Sequence, residues 1–200
     1  MTQQLSIKEQ REQKRVTEIL DAAQELFSEK GLRGVTVDEI AMRALAAKST
    51  VYEYFDSKGA ILNAVVARGL ESMSEYVRKR LGRVSDPRER VVELLRAELR
   101  FIELQVKFFE MISIERIQFG EQSRRQIMPS YVEHVRVIRE ELEAAAAAGV
   151  VRGQVTDDAA YLVFSAVQTT AFRWIVEGRK GRLPDRADRL SDILLGGIGV

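Results

Sequence analysis

Three hydrogen-bond donors, Lys48, Ser49 and Tyr52, are spaced so that a short helix would present them on its outer side. Val51 and Phe55 lie four residues apart and fall on the opposite side, where they can pack inward. An ammonium group and hydroxyl groups that project together are suited to hydrogen bonds with base edges and phosphate oxygens. This spacing predicts a surface that contacts duplex DNA.

A helix-turn-helix is the element that would position these donors. Thr36 and Glu39 have the spacing of a capping box, so a second helix is expected over residues 37–44 and a third over 47–54. A preceding helix, with an apolar stripe from Ile19 to Phe27, would brace the pair and end near Gly31. Such an arrangement lets the third helix enter a major groove, which is about 12 Å wide.

Helical spacing continues to the end of the chain, and no useful stretch alternates with a period of two. A longer helix is predicted from Lys58 to about Arg80, and others are expected to begin at Pro87, at Pro129 unless it bends a helix, after Val155, and after Pro184. The sequence therefore predicts an all-α protein of about nine helices. Residues 1–57 would form a helix-turn-helix domain and residues 58–200 a larger helical domain.

Catalytic chemistry has little support in the sequence. The 200 residues include no cysteine and a single histidine, His134, so disulfides and thiolate metal sites are excluded and no metal or cofactor is expected. Glu133 does not form a catalytic pair with His134, because adjacent helical residues point about 100° apart. With no convincing nucleophile, we expect no enzyme, and we interpret His134 as a surface or pocket-rim residue.

Composition indicates a folded, cytoplasmic chain, with 46% hydrophobic and 30% charged residues. The polar N-terminus lacks an apolar run long enough for export or membrane insertion, so no membrane association is expected. The net charge is only +1, and residues 8–58 hold nine Lys and Arg against ten Asp and Glu. Bulk basicity is absent, so the DNA prediction depends on where particular residues lie.

Residues 19–66 resemble the N-terminal domain of the tetracycline-repressor (TetR) family. The most specific pieces are A-x-x-L-F at Ala23 to Phe27, G-x-x-x-x-T-V at Gly31 to Val37, the pair Ile40 and Ala41, and S-T-V-Y-x-Y-F-x-S-K at Ser49 to Lys58. The resemblance covers about a quarter of the chain. Each piece alone is weak, and the combination is strong.

The resemblance implies two sets of DNA-binding residues. The set that would bind phosphate oxygens comprises Thr36, Thr50, Tyr52, Tyr54 and Lys58. Lys48 and Ser49 match positions that reach base edges, and Lys48 could donate to guanine O6 and N7. An N-terminal arm with Arg11, Lys14 and Arg15 could touch the backbone or minor groove. Alternatively, Lys48 is an ordinary solvated lysine, Tyr52 and Tyr54 fill a small core, and Thr36 only caps.

The turn departs from the family pattern. Where the family usually has A-G-V-S, this chain has Ala44, Leu45, Ala46 and Ala47. If Leu45 is left-handed, it costs roughly 1 to 2 kcal/mol. Replacing the serine cap by Ala47 costs about 1 kcal/mol more. A reshaped turn is therefore a second possibility.

The resemblance also implies an effector pocket in the C-terminal domain. The stretch Phe101 to Phe119 is rich in apolar and aromatic residues, which indicates core but also suits a ligand cavity. The candidate lining residues are Phe101, Phe108, Met111, Tyr131, Phe164 and Trp174. Such a pocket would take a small apolar or amphipathic effector, such as an acyl chain or an aromatic drug.

The last two helices carry wide apolar stripes, which suggest a self-complementary interface in a homodimer. The candidate interface residues are Val163, Val167, Thr170, Trp174, Leu190 and Leu194. Packing within one chain would explain the same stripes without a dimer.

We therefore expect a ligand-responsive transcriptional repressor that binds a near-palindromic operator as a dimer. A helical ligand-binding or interaction module without DNA binding is the alternative, which the unusual turn and acidic balance favour. A helical enzyme is the third possibility, and it lacks a cluster of nucleophile, base and acid.

Overall fold

The computed structural model describes residues 6–115, 121–151 and 155–196. These ranges contain α-helices, one short 3-10 helix and no strand, which confirms the predicted all-α class. The helices are α1 (Ile7–Lys30), α2 (Val37–Arg43), α3 (Lys48–Tyr54), α4 (Lys58–Leu81), α5 (Pro87–Leu104), α6 (Val106–Glu115), α7 (Glu121–Ala147), α8 (Asp157–Val176), the 3-10 helix Leu183–Arg186, and α9 (Ala187–Gly196).

The chain forms two compact units. The first contains α1 to α3, the part of α4 up to Ala67, and the segment from Met111 to Ile127. The second contains Arg68 to Glu110 and the chain from Met128 onward. These units do not coincide with the division predicted after residue 57, because α4 is one continuous helix that contributes to both.

The end of α1 and the start of α2 lie at the predicted signals, whereas α1 starts earlier than predicted, at Ile7. Gly31 closes α1 with a positive φ of 70°, a backbone conformation that glycine adopts without steric cost. Thr36 caps α2: its hydroxyl accepts from the Glu39 backbone N–H, and the Glu39 carboxylate accepts from the Thr36 backbone N–H. The predicted capping box is therefore confirmed, and it sets where α2 starts.

A small apolar core holds α1, α2 and α3 together. Ile19 and Phe27 from α1, Ile40 from α2 and Val51 from α3 are all fully buried. The two residues predicted to face inward are Val51, which is fully buried, and Phe55, which is partly buried. The outer side of α3 is therefore turned away from this core. The packing of four large side chains thus determines which face of α3 reaches solvent.

The turn between α2 and α3 has the unusual conformation considered from the sequence. Leu45 has a φ of 51° and is 90% exposed. The backbone N–H of Ala46 donates to the Ala41 carbonyl, and that of Leu45 donates to the Met42 carbonyl, at 2.9 and 3.2 Å. These two bonds form a Schellman motif, which normally has glycine in the left-handed position. Ala47, the N-cap of α3, provides no side-chain hydrogen bond.

In the second unit, α5 packs against α8, α9 and the 3-10 helix. Asp86 caps α5 by accepting from the Glu89 backbone N–H, and Pro87 occupies its first turn, as predicted. Leu94, Leu95 and Leu99 are fully buried on this helix. The core of the second unit is therefore built around α5.

Gln105 separates α5 from α6, so the apolar stretch that begins at Phe101 spans two helices. Pro129 lies inside α7. Of the two roles predicted for it, beginning a helix or bending one, the first is therefore excluded. In a sequence, a proline usually indicates that a helix is interrupted, because proline lacks a backbone N–H donor. Here the helix continues through it.

We expect Leu45→Gly to raise the melting temperature, because glycine adopts the left-handed conformation without the Cβ clash that leucine suffers. Leu45 has few contacts to lose. The gain should be about 1 kcal/mol, or roughly 2 to 4 °C for a chain of this size. Differential scanning calorimetry would measure it. The matched control is Ala46→Gly at the next residue, which has no positive φ and should lower the melting temperature. Equal changes in both variants would contradict the strain at Leu45.

Candidate functional site

The outer side of α3 carries the predicted DNA-facing donors. Lys48, Ser49 and Tyr52 are exposed, whereas Thr50 and Tyr54 are partly buried. The three exposed groups are those predicted from the helical spacing to lie outside. The structure thus brings an ammonium and two hydroxyls together on one accessible face.

Lys48 is paired with an acid from the preceding helix. Its Nζ lies 2.9 Å from both carboxylate oxygens of Asp38 on α2. The hydrogen bond to Asp38, together with its charge, raises the pKa of Lys48, so the ammonium stays protonated. Both side chains are exposed, and such pairs exchange readily for other partners in water. Asp38 was not singled out from the sequence, and its spacing of ten residues from Lys48 is no helical signal.

The capping box at the start of α2 forms a tighter cluster. Lys30 Nζ donates to Glu39 at 2.6 Å, and the Thr36 hydroxyl donates to the same carboxylate at 3.0 Å. The hydrogen bond from Lys30, followed by those from Thr36, lowers the pKa of Glu39 to about 2. Thr36 therefore both donates and accepts within this cluster, and its local hydrogen bonds explain it without DNA.

Lys58 has a structural role that sequence reasoning missed. Its Nζ donates to the backbone carbonyls of Leu32 and Val35, each at 2.7 Å. It therefore ties the beginning of α4 to the loop between α1 and α2. An ammonium has three protons, so one remains for a phosphate oxygen.

The basic residues assigned to an N-terminal arm lie in a helix. Arg11, Lys14 and Arg15 are all within α1, which starts at Ile7, so the expectation of an arm at these positions is corrected. Lys14 and Arg15 both lie close to Glu18, at 4.0 and 2.9 Å. Intrahelical pairing at spacings of three and four residues explains their position.

Acidic partners accompany other cations of the first unit. Arg43, at the end of α2, lies 3.0 Å from Glu25 and 3.5 Å from Glu29 on α1. The hydrogen bond that Arg43 donates to the Glu25 carboxylate is the main reason that the pKa of Arg43 is raised. These pairs explain why the region carries no bulk basicity even though its cations are exposed.

Most of the residues predicted to line an effector pocket belong to the second unit. Phe101, Phe108, Tyr131, Phe164 and Trp174 belong to the second unit, whereas Met111 belongs to the first. Tyr131 and Phe164 are in edge contact, with ring centroids 5.2 Å apart, and Tyr131 also stacks on Tyr161. The Trp174 ring nitrogen donates to the Gly181 carbonyl at 3.0 Å, which gives this buried side chain a structural role.

The sequence suggested that His134 is a surface or pocket-rim residue, and this interpretation is wrong. His134 is fully buried in the second unit, with its Nδ1 2.9 Å from Ser74 Oγ and its Nε2 3.3 Å from Glu98 Oε1. Its ring lies 5.4 Å from Phe164 in edge contact. Its partners come from α4 and α5, far away in the sequence, so local patterns gave no signal for them.

An apolar cavity of about 500 Å³ lies elsewhere in the second unit. Residues from α5, α7, α8 and α9 line it, including Val91, Leu95, Leu142, Leu162, Val163 and Leu194. None of the six predicted effector residues is among its lining residues. The cavity is large enough for a small molecule, since ligand pockets of about 300 to 1,000 Å³ are usual.

Three of the predicted dimer residues are buried in their own unit. Val163, Val167 and Trp174 belong to the core of the second unit, while Thr170, Leu190 and Leu194 are partly buried. The first three side chains therefore have little exposed surface to offer a partner. A different face of α8 is exposed and apolar, with Leu162 and Val176 at 68% and 69% exposure. Phe172 lies between them in the sequence and is also exposed.

Within the described part of the chain, no helix has the length and apolar character needed to cross a membrane. The same residues contain no group of three or more His, Asp and Glu side chains arranged to hold a metal ion.

Comparison with known proteins identifies two matching family models. Residues 19–65 match the model of bacterial regulatory proteins of the tetR family, and residues 84–198 match a tetracyclin repressor-like C-terminal domain. The second match alone covers more than half of the chain.

Individual relatives are more distant. The transcriptional activator FasR of Mycolicibacterium smegmatis is 33% identical over 95 residues, which are 48% of this chain and 43% of that protein. The chain thus matches less than half the length of this relative. The transcriptional repressor NicS of Pseudomonas putida is 24% identical over 83% of this chain and 79% of its own.

The structure of the transcriptional regulator FadR from Bacillus subtilis, in complex with stearoyl-CoA, has a TM-score of 0.80. It is 20% identical, and the match covers 92% of this chain and 99% of that one. This likeness supports the fold.

We expect Lys58→Met to destabilise the protein, because two backbone carbonyls would lose a charged donor while the aliphatic stem is kept. The loss should be about 2 kcal/mol, seen as a lower midpoint in urea denaturation. Lys79→Met, at an exposed site near the end of α4, is the control and should change stability by less than about 0.5 kcal/mol. Equal effects of both substitutions would mean that the two carbonyl contacts of Lys58 contribute nothing.

Proposed function

Because the chain belongs to the tetR family of bacterial regulatory proteins, we propose that it is a ligand-responsive repressor that binds a near-palindromic operator as a homodimer. The observation that carries this proposal is the exposed face of α3, where Lys48, Ser49 and Tyr52 project from a braced helix-turn-helix. As a regulator of transcription, the protein would act in the cytoplasm on the chromosome.

On DNA, α3 would enter the major groove. Lys48 and Ser49 at its first turn would reach base edges, with Lys48 donating to guanine O6 and N7. The ion pair with Asp38 is exposed, so DNA can replace the carboxylate as the partner of this ammonium. Base readout would thus require opening one weak contact.

Hydroxyl groups on α3 and near it, together with the ammonium of Lys58, would hold the protein on the phosphate backbone. The proposed phosphate-binding residues are Thr36, Thr50, Tyr52, Tyr54 and Lys58. Tyr52 is the most accessible of the tyrosines and the best placed for direct contact, whereas Thr36 and Lys58 already have protein partners. Phosphate contacts orient a protein on DNA without reading its sequence.

A twofold dimer would present two copies of α3 to successive major grooves, roughly 34 to 36 Å apart. We propose that the exposed apolar face of α8, with Leu162, Phe172 and Val176, forms this interface together with Ile193 on α9. Thr170, Leu190 and Leu194 are partly buried and can contribute at its edge. The buried residues of the same helices would support the interface from behind.

The effector would be small and apolar or amphipathic, and it would bind in the second unit. The apolar cavity and the aromatic group of Tyr131, Tyr161 and Phe164 support this class of ligand. The complex of FadR with stearoyl-CoA is in keeping with it. An effector that binds better to a conformer with poor operator fit would shift the population and relieve repression. Helix α4, which runs through both units, would connect the two events.

A helical module that binds ligand without DNA remains the second candidate. The observation that favours it is the pairing of Lys30, Arg43 and Lys48 with acids, which reduces the positive potential of the helix-turn-helix.

Selection from a random pool of duplex DNA is expected to enrich a near-palindromic sequence. Binding should weaken by about 10³ to 10⁵ between roughly 50 and 200 mM salt if the dimer neutralises about six to ten phosphates. Lys48→Ala should lose base preference at one position of each half-site, at a cost of about 1 to 3 kcal/mol. Tyr52→Phe should lower affinity for all sequences equally, because only a phosphate contact is lost.

Lys79→Ala, on the exposed side of α4 in the second unit, serves as the control and should bind like the parent protein. Absence of an enriched palindrome together with salt-independent binding would end the repressor proposal in favour of the ligand-binding module.

The dimer proposal predicts that Phe172→Glu, alone or with Leu162→Glu, converts the protein to a monomer. A charge placed in an apolar interface must lose its hydration on association. Multi-angle light scattering at micromolar concentration would measure the mass. Ile7→Glu alters an apolar side chain on α1 that is about as exposed as Leu162 and more exposed than Phe172, and it should leave the dimer intact. A dimeric Phe172→Glu, Leu162→Glu double variant would rule out this face as the interface.

A further inference from the structure

The core of the second unit contains a group of three polar side chains. Ser74 comes from α4, Glu98 from α5 and His134 from α7. Glu98 and His134 are both 0% exposed, and Ser74 is almost as deeply buried. A carboxylate and an imidazole at such depth need partners, because burial removes the water that would solvate them.

The partners present satisfy only part of this group. Ser74 Oγ contacts the Leu70 carbonyl at 3.0 Å and His134 Nδ1 at 2.9 Å, so one ring nitrogen is satisfied. The other nitrogen, Nε2, lies 3.3 Å from Glu98 Oε1 without the alignment of a hydrogen bond. Among the described residues, neither oxygen of Glu98 has a hydrogen-bond partner.

Glu98 therefore has unused capacity to accept hydrogen bonds. Its two oxygens can accept several hydrogen bonds between them, and His134 can supply at most one N–H. A donor on a bound molecule would supply a hydrogen bond that the described residues do not. A ligand group that only accepts hydrogen bonds would be repelled by the carboxylate, and so would an anion. The unfilled positions on Glu98 therefore favour a ligand that carries a polar hydrogen.

Aromatic rings connect this group with the more accessible part of the unit. Phe164 touches His134, Tyr131 touches Phe164, and Tyr161 stacks on Tyr131. Tyr131 and Tyr161 are only partly buried, and burial raises the pKa of the Tyr131 hydroxyl. These ring contacts lead from the partly buried Tyr131 and Tyr161 to the fully buried His134.

We propose that Glu98 and His134 form the polar end of the effector site and bind an N–H or O–H group of an otherwise apolar ligand. This rests on the proposed ligand-responsive function and specifies which chemical group the effector must carry. Glu98 would accept from the ligand's polar hydrogen, while Ser74 holds the imidazole in place through Nδ1. The aromatic rings would contact the apolar body.

The test uses three probes with similar apolar chains: octylamine, 1-octanol and methyl octanoate. The first two carry polar hydrogens, and the ester carries only acceptors. Isothermal titration calorimetry on the full chain should give affinities about tenfold or more higher for the amine and the alcohol than for the ester, because a hydrogen bond to a charged group is lost with the ester.

Glu98→Leu should abolish this preference, so that all three probes bind with affinities within about twofold. It should also raise the melting temperature without ligand, because a buried carboxylate that lacks partners is removed. Glu98→Gln keeps the shape and an acceptor oxygen, and it should retain the preference for 1-octanol. If Glu98→Gln weakens the affinity for octylamine more than that for 1-octanol, the ligand group bound by Glu98 is a cation. If the two affinities fall equally, the group is a neutral donor.

Two results would overturn the proposal. One is an unchanged preference for polar hydrogens in Glu98→Leu and Glu98→Gln. The other is a lower melting temperature for both variants, together with a parent protein that binds the three probes equally well. That result would mean that Glu98 only stabilises the core.

Operator binding by the same variants separates this proposal from the repressor function. Release of the parent protein from its operator by all three probes alike would refute the donor requirement and leave the repressor standing. Loss of operator binding in the parent protein itself would refute the repressor.

Discussion

The turn between α2 and α3 is the constraint on which the DNA-binding surface depends. Its Schellman motif fixes where α2 ends, and the left-handed Leu45 redirects the chain so that Val51 enters the core. Because Val51 faces inward, the donors on the other side of α3 face outward. The strain at Leu45 is therefore not an isolated defect, since the surrounding core and hydrogen bonds hold the residue in a conformation that leucine disfavours.

Local signals predicted most of the fold. The capping box at Thr36, the proline at Pro87 and the glycine at Gly31 act over one helical turn, so their effect is visible in the sequence and agrees with the structure. The family resemblance over residues 19–66 is likewise confirmed by the matching family model. Long-range contacts were not predictable in this way. Lys58 bonds to carbonyls more than twenty residues earlier, and the partners of His134 come from two other helices.

The difference between local signals and long-range contacts also explains why several residues of the second unit lie where the sequence did not predict. Apolar periodicity indicates which residues avoid water, and it cannot tell whether the neighbour belongs to the same chain, a partner or a ligand. Val163, Val167 and Trp174 satisfy that pattern in their own core, so the exposed Leu162 and Val176 remain for other contacts. An exposed apolar face is more informative than a buried one, because the chain itself leaves it uncovered.

The two units place polar groups in opposite electrostatic settings. In the first, the ammonium of Lys48 faces Asp38 in water, where the pair is weak and exchange with DNA is easy. In the second, Glu98 faces His134 in the buried core, where an incomplete pair is costly. A hydrophobic residue at Glu98 would pack this core with less penalty. The presence of Glu98 therefore lowers the stability of the core and provides the capacity to bind a hydrogen-bond donor. Such a trade-off is common where a protein binds a ligand.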